Sequence, residues 1–160
     1  MQPRIKTAAI RSVEFGAGVT VVEPVNLYEC EIGHNSFIGP FVEIQKGVVI
    51  GSNCRIQSHA FICELVTIGD NCFISHGAMF INDLFTTGRP AGGDSTKWKT
   101  TRVGNHVSIG TNATVLPVQI CDNVVVGAGS VVTRDIDKPG VYAGNPARLI
   151  RPLQPQPRNT

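Results

Sequence analysis

From Ile32 onward a large apolar side chain recurs at every sixth residue: Ile32, Ile38, Ile44, Ile50, Ile56, Ile62, Ile68, Ile74 and Phe80. Four positions after each of the first eight stands a small or compact residue, namely Ser36, Val42, Val48, Cys54, Ala60, Val66, Cys72 and Ala78. Neither a helical period nor simple strand alternation produces a strict period of six. It predicts one short strand per hexad, with the large and the small residue pointing inward. The Gly, Asn, Asp and Ser residues between them supply a corner, where positive φ or side-chain-to-backbone hydrogen bonds are needed. Three hexads close a triangular coil, so residue n lies above residue n−18, and successive coils pair as parallel strands about 4.8 Å apart. One hexad cannot bury its apolar face, whereas a stack of them encloses a continuous core. The predicted fold is all-β, a parallel β-helix.

The same register places the ends and one interruption. It enters weakly at Val13, Val19 and Val25, then slips by one residue before Ile32, where Pro24 and Asn26 suit a bulged turn. After Phe80 the period stops, and residues 82–102 are rich in Gly, Thr and charge. Loops of such length inside a compact fold carry function or are disordered. The core does not need this one, and it holds Trp98, the single tryptophan of the chain. The register resumes at Val103, Ile109 and Val115, shortens across Leu116-Pro117-Val118, and ends with Ile120, Val126 and Val132. Roughly six coils make a prism about 30 Å long. The expected organisation is a single domain, 1–160, comprising an irregular lead-in to Ser12, a β-helix over 13–135 with the inserted loop 82–102, and a C-terminal extension over 136–160. Almost no α-helix is expected beyond a turn near the C-terminus, and the tail from Gln154 is expected to be extended or disordered.

Composition narrows the function classes. Hydrophobic residues at 42% with aromatics at only 6% fit a narrow prism filled by Ile, Val and Ala. A net charge of +2 makes no case for nucleic acid or membrane as partner. No apolar run is long enough to span a bilayer and no leader pattern opens the chain, so a cytoplasmic protein is expected. The five cysteines form no CxxC pair, and no metal site is expected. Cys54 and Cys72, eighteen apart in the small slot, should stack as buried thiols.

Gly127-Ala128-Gly129-Ser130-Val131-Val132 followed by Ala143-Gly144-Asn145-Pro146-Ala147 resembles the end of the hexapeptide-repeat acyltransferases, whose fold is a left-handed parallel β-helix. The resemblance implies acetyl-CoA as acyl donor, lying along the last coils. Gly110, Ala128, Ser130, Asn145 and Pro146 would flank its arm, and Lys138 and Arg148 would meet its phosphates. From about Leu27 to Arg151, including Phe80-Ile81-Asn82-Asp83 and the loop with its Trp, the chain is similar to sugar-nucleotide 3-N-acetyltransferases acting on amino sugars for surface-polysaccharide (lipopolysaccharide) synthesis. That branch implies a homotrimer with sites between subunits and an amino sugar nucleotide as acceptor. It also implies that Asn82 holds the amine, with Asp83 and Trp98 in the substrate site.

Two histidines compete with Asn82 for the catalytic role. By the eighteen-residue rule His59 and His76 share one corner, one coil apart, and could accept a proton or simply be polar corner residues. His34 and His106 read as turn residues. A neutral sugar amine is already a nucleophile, so positioning by Asn82 ranks above a base. Of three other readings, the second is discounted. O-acetyl transfer to a hydroxyl would require a base such as His76. A hydratase resembling γ-class carbonic anhydrase would need three convergent histidines, which the spacings 34, 59, 76 and 106 do not offer. A non-catalytic β-helical binding subunit would need neither.

Overall fold

The computed structural model describes residues 3–153, so the tail expected from Gln154 lies outside the described residues. Short strands wind seven times round one axis. The first coil holds β1 (Ile10–Arg11), β2 (Glu14–Phe15) and β3 (Thr20–Val21), and the second β4 (Asn26–Tyr28), β5 (Glu31–Ile32) and β6 (Phe37–Ile38). The third holds β7 (Glu43–Ile44), β8 (Val49–Ile50) and β9 (Arg55–Ile56), and the fourth β10 (Phe61–Ile62), β11 (Val66–Ile68) and β12 (Phe73–Ile74). The fifth has β13 (Met79–Phe80), β14 (Thr101–Val103) and β15 (Ser108–Ile109), the sixth β16 (Thr114–Val115), β17 (Gln119–Ile120) and β18 (Val124–Val126). The seventh runs from β19 (Val131–Val132) through a parallel bridge of Ile136 to Ile120 and into β20 (Gly140–Ala143). Every third strand stacks in parallel, giving face A from β1 to β19, face B from β2 to β17 and face C from β3 to β20. A last strand, β21 (Arg148–Arg151), turns back antiparallel along β20.

The inward residues are those the period assigns. Ile32, Ile38, Ile44, Ile50, Ile56, Ile62, Ile68, Ile74 and Phe80 are buried and join one continuous core with Ile109, Val115, Ile120, Val126 and Val132. Burying each such side chain contributes about 1.5–3 kcal/mol, so the stack, and not any single hexad, supplies the stability. Cys54 and Cys72 are buried free thiols in the small slot, donating to the Gly69 and Gly104 carbonyls at 3.1 Å.

Three expectations need correction. There are seven coils, since Ile10–Phe15 and Ile136–Ala143 each belong to one. The early register also differs. Ile10 pairs with Leu27, Phe15 with Ile32 and Val21 with Ile38, so these take the large slot and Val25 stacks level with Val42 in the small one. Valine fills either inward slot, which is why Val13, Val19 and Val25 mimic a register that they do not hold. Finally, the one helical turn among the described residues is a 3-10 segment, Ser95–Lys97, within the loop, while the C-terminal part forms β20 and β21.

Register changes are confined to one corner. From face C to A and from B to C the large inward residues are always six apart, as in Ile56 to Ile62 and Ile68 to Ile74. From A to B the step is five at Ile10–Phe15, Leu27–Ile32 and Val115–Ile120, and four at Val132–Ile136. It is twenty-three at Phe80–Val103, where the loop leaves.

Candidate functional site

The loop starts and ends on the A–B corner. Thr101 N–H donates to the Leu65 carbonyl at 3.0 Å and Lys99 N–H to the Asn82 carbonyl at 2.9 Å, which pins the two ends side by side. Asp83 organises the interior: its two carboxylate oxygens accept from Phe85 N–H at 2.9 Å and Ala91 N–H at 2.7 Å. Asp94 caps the 3-10 turn through Thr96 and pairs with Lys97 at 3.3 Å. Two carboxylates thus satisfy loop amides that the hexad pattern leaves without a partner.

Folded this way, the loop closes a cavity of about 260 Å³ against the end of face A, lined by Gln45, Phe61, Cys63, Ile81, Asn82, Asp83, Phe85 and Trp98. Asn82 is half-buried and donates Nδ2–H to the Glu64 carbonyl one coil below at 3.2 Å. That bond sets the amide orientation, and among the described residues no donor bonds Oδ1, while Asn82 lines the cavity. Burial pushes the Cys63 thiol up to about 12, so it stays protonated and serves as an apolar wall. Asn82, Asp83 and Trp98 are therefore brought together, although the Asp83 carboxylate faces loop amides. Gln45, Cys63 and Ile81 were not singled out in the sequence, yet they form one outward column at steps of eighteen. Phe85 carries no periodic signal and could not have been found.

The histidines lie elsewhere. His59 and His76 do share a corner one coil apart, but it is the C–A corner, at the far end of β13 from Asn82. His76 Nδ1 is 2.8 Å from Ser58 Oγ, and the His59 ring stacks on Phe41 with centroids 4.8 Å apart. Both side chains are exposed. His34 and His106 are corner residues, His34 Nδ1 accepting from Ala17 N–H at 2.8 Å.

Above His76 the same corner carries most of the residues set aside for the acyl donor. A Cβ on Gly110 would meet Ala128 N at 2.5 Å, so only glycine allows the coils to close there. Ser130 is buried and its Oγ accepts from Gly144 N–H at 3.1 Å, folding Gly144-Asn145-Pro146 back over the corner. Ala128, Asn145, Pro146 and Arg148 are exposed beside it. Lys138 is not part of this group: it follows Ile136 on the B–C corner, its carbonyl accepting from the Tyr142 hydroxyl at 2.9 Å. A broader hollow of about 650 Å³ on face B, lined by Arg102, Gln119, Asp135 and Asp137 among others, was not anticipated.

A β-helix of hexads with one inserted loop defines the class, and two family models agree. "Bacterial transferase hexapeptide (six repeats)" matches residues 29–64 and "Hexapeptide repeat of succinyl-transferase" residues 100–134. Both matched stretches of the chain are thus similar to hexapeptide repeats. It is 36% identical to the galactoside O-acetyltransferase of Escherichia coli K12 over 76% of this chain and 63% of that one. It is 30% identical to the bifunctional protein GlmU of Synechococcus sp. RCC307 over 89% of this chain and 33% of that one. The chain thus spans between a third and just under two thirds of these relatives' length. Among solved structures, a mutant of AntD, an N-acyltransferase from Bacillus cereus in complex with dTDP and coenzyme A, superposes with a TM-score of 0.77 at 27% identity, covering 91% of this chain and 86% of that one. A hexapeptide-repeat acetyltransferase from Vibrio cholerae complexed with acetyl coenzyme A gives 0.65 at 27%, covering 78% and 71%.

Proposed function

We propose that the protein is an acyltransferase that moves an acetyl group from acetyl-CoA to the amino group of an amino sugar nucleotide, for surface-polysaccharide synthesis in the cytoplasm. The observation that carries this reading is Asn82, its amide held by the Glu64 carbonyl, lining one cavity with Trp98 and the start of the loop. Likeness to an N-acyltransferase in complex with dTDP and coenzyme A supports the substrate class. In the reaction, Asn82 Oδ1 accepts one amine hydrogen and turns the nitrogen lone pair toward the thioester carbonyl. The nitrogen attacks that carbon, the C–S bond breaks, and the departing CoA thiolate takes the surplus amine proton, leaving an amide and free CoA.

Assembly follows from the two corners. Asn82 and the donor-side residues Gly110, Ala128, Ser130, Asn145 and Pro146 lie on different edges of one prism, so a single chain cannot bring amine and thioester together. A homotrimer, with the A–B corner of one subunit against the C–A corner of the next, closes the site. On that arrangement Arg148 meets the donor phosphates, whereas Lys138 would act from a separate corner. The Ser58–His76 contact at 2.8 Å favours a second reading, transfer to a hydroxyl with His76 as base. Thiol release from acetyl-CoA, measured against matched amino and hydroxyl sugar nucleotides, separates the two: turnover only with hydroxyl acceptors overturns the first reading.

A further inference from the structure

We infer that Phe41 and His59, stacked on the C–A corner below His76, form the platform for the acceptor's nucleobase and present it to the groove of the adjacent subunit. The inference rests on the amino sugar nucleotide and homotrimer readings above and says which residues take the far end of that molecule. One left-handed position recurs up this corner, at Phe41, His59, Gly77, Asn112 and Gly129, with φ between 55° and 68°. A ladder of N–H donors links it to the coil below: His59 to the Pro40 carbonyl at 3.2 Å, Gly77 to Ser58 at 3.0 Å and Asn112 to His76 at 3.0 Å. Glycine and asparagine suit that backbone, whereas a phenylalanine raises its energy. Phe41 nevertheless stands there 56% exposed, its ring stacked on that of His59 with centroids 4.8 Å apart and planes 19° from parallel. The ring adds nothing to the buried core. A strained backbone kept for an exposed aromatic points to a ligand with a flat face.

The corner changes character at His76. Above it stand Gly110, Ala128 and Gly129, small residues that suit the donor's arm, and below it stand the two rings. Both substrates are long, and they meet where the acyl group passes over, at the height of Asn82. A donor that runs upward from there leaves the lower coils to the acceptor. Phe41 precedes β7 and Asn82 follows β13, two strands higher in face A. With the threefold axis along the prisms, heights are shared between subunits. His59 then lies one coil below the level of Asn82 and Phe41 two, about 5 Å and about 10 Å at the strand spacing. A sugar nucleotide carries its diphosphate on the sugar ring and its base beyond a ribose. His59, the nearer residue, offers a ring N–H at the height of the diphosphate, and Phe41, the farther, its open face to the base. Every base has a π-face, so this platform fixes reach and orientation and leaves the identity of the base open.

Calorimetric titration of the full chain with dTDP and with UDP tests this, with acetyl-CoA titrated in parallel. Phe41→Asn removes the ring and suits the left-handed backbone. It should keep or raise the melting temperature while weakening binding of both nucleotides about tenfold or more. Acetyl-CoA affinity should stay within twofold, and KM for the sugar nucleotide should rise with kcat held. Phe41→Trp should retain nucleotide binding. Phe41→Leu, similar in bulk but without a π-face, supplies the ring-free readout if Phe41→Asn does not fold. Nucleotide affinity within twofold of wild type in a folded Phe41→Asn or Phe41→Leu chain overturns the platform while sparing the proposed function. Loss of acetyl-CoA binding instead would put the donor's adenine on Phe41 and likewise overturn the assignment. A wild-type chain that binds acetyl-CoA but neither nucleotide overturns the proposed function, and the platform with it.

Discussion

The B–C and A–B corners of this prism are built from the same hexads and do opposite things. At B–C every step is six residues, and a ladder of side chains closes the polar groups of each coil onto the next. Asp70 accepts from Ser52 N–H at 2.7 Å, Asn105 from Asp70 N–H at 2.8 Å, and Asp122 from Asn105 N–H at 2.8 Å. Asn35, Asn53, Asn71, His106 and Asn123 take the left-handed position there, φ between 55° and 59°. At A–B the step varies, no such ladder runs through the described residues, and a cavity opens beside Asn82. Repetition pairs the polar groups of one corner, and the cavity beside Asn82 opens at the other, where the repeat fails.

The strongest way to break this contrast is to excise residues 83–98 and join Asn82 to Lys99, whose backbones are already hydrogen-bonded. Acyl transfer should fall roughly 10³-fold through lost enclosure and orientation, with the melting temperature within about 3 °C of wild type. A trimeric deletion variant with normal rates would defeat the assignment of the loop. Next, Asn82→Ala should lower kcat about 100-fold, and cost stability only about 1 kcal/mol for one hydrogen bond. Equal losses in both quantities would make Asn82 a structural residue. Gly51→Ala attacks the other corner: the new Cβ would lie 2.6 Å from the Gly69 carbonyl carbon. It should destabilise the fold by about 1–3 kcal/mol in denaturant titration and leave kcat of the folded fraction unchanged.

The smallest effect is invisible at neutral pH. Cys30 and Cys63, both on the A–B corner, are pushed up by burial to about 11 and about 12. The unfolded thiol titrates near about 8.5, so the folded chain holds these protons more tightly. Their contribution is fully present below that pH and is lost as pH rises toward 11 and 12. Melting curves should decline over this alkaline range, less steeply in Cys63→Val.

The large inward positions from Ile32 to Val132 were legible because six is a period that only a coil with corners produces. The first coil was misread because valine suits both inward slots, and the seventh because Ile136 forms a bridge too short to register as a hexad. Proximity of Asn82 to Trp98 followed from their shared loop. The Asp83 role did not: a carboxylate serving amides two and eight residues on leaves no spacing signal. Lys138 and Arg148, read together in the sequence, stand on different corners for a different reason. Ten residues of sequence separate them, and face C lies between their corners.

β21 has a consequence for solubility. A solenoid ending in a bare parallel coil is a template on which the first coil of another molecule can add, and then another, as in a fibre. Here the final strand of face C runs the opposite way and is flanked by Arg148 and Arg151. An incoming coil would meet reversed hydrogen-bond polarity and two positive charges on one of its three sides. Face C is thereby a poorer template for end-to-end addition than a bare parallel strand.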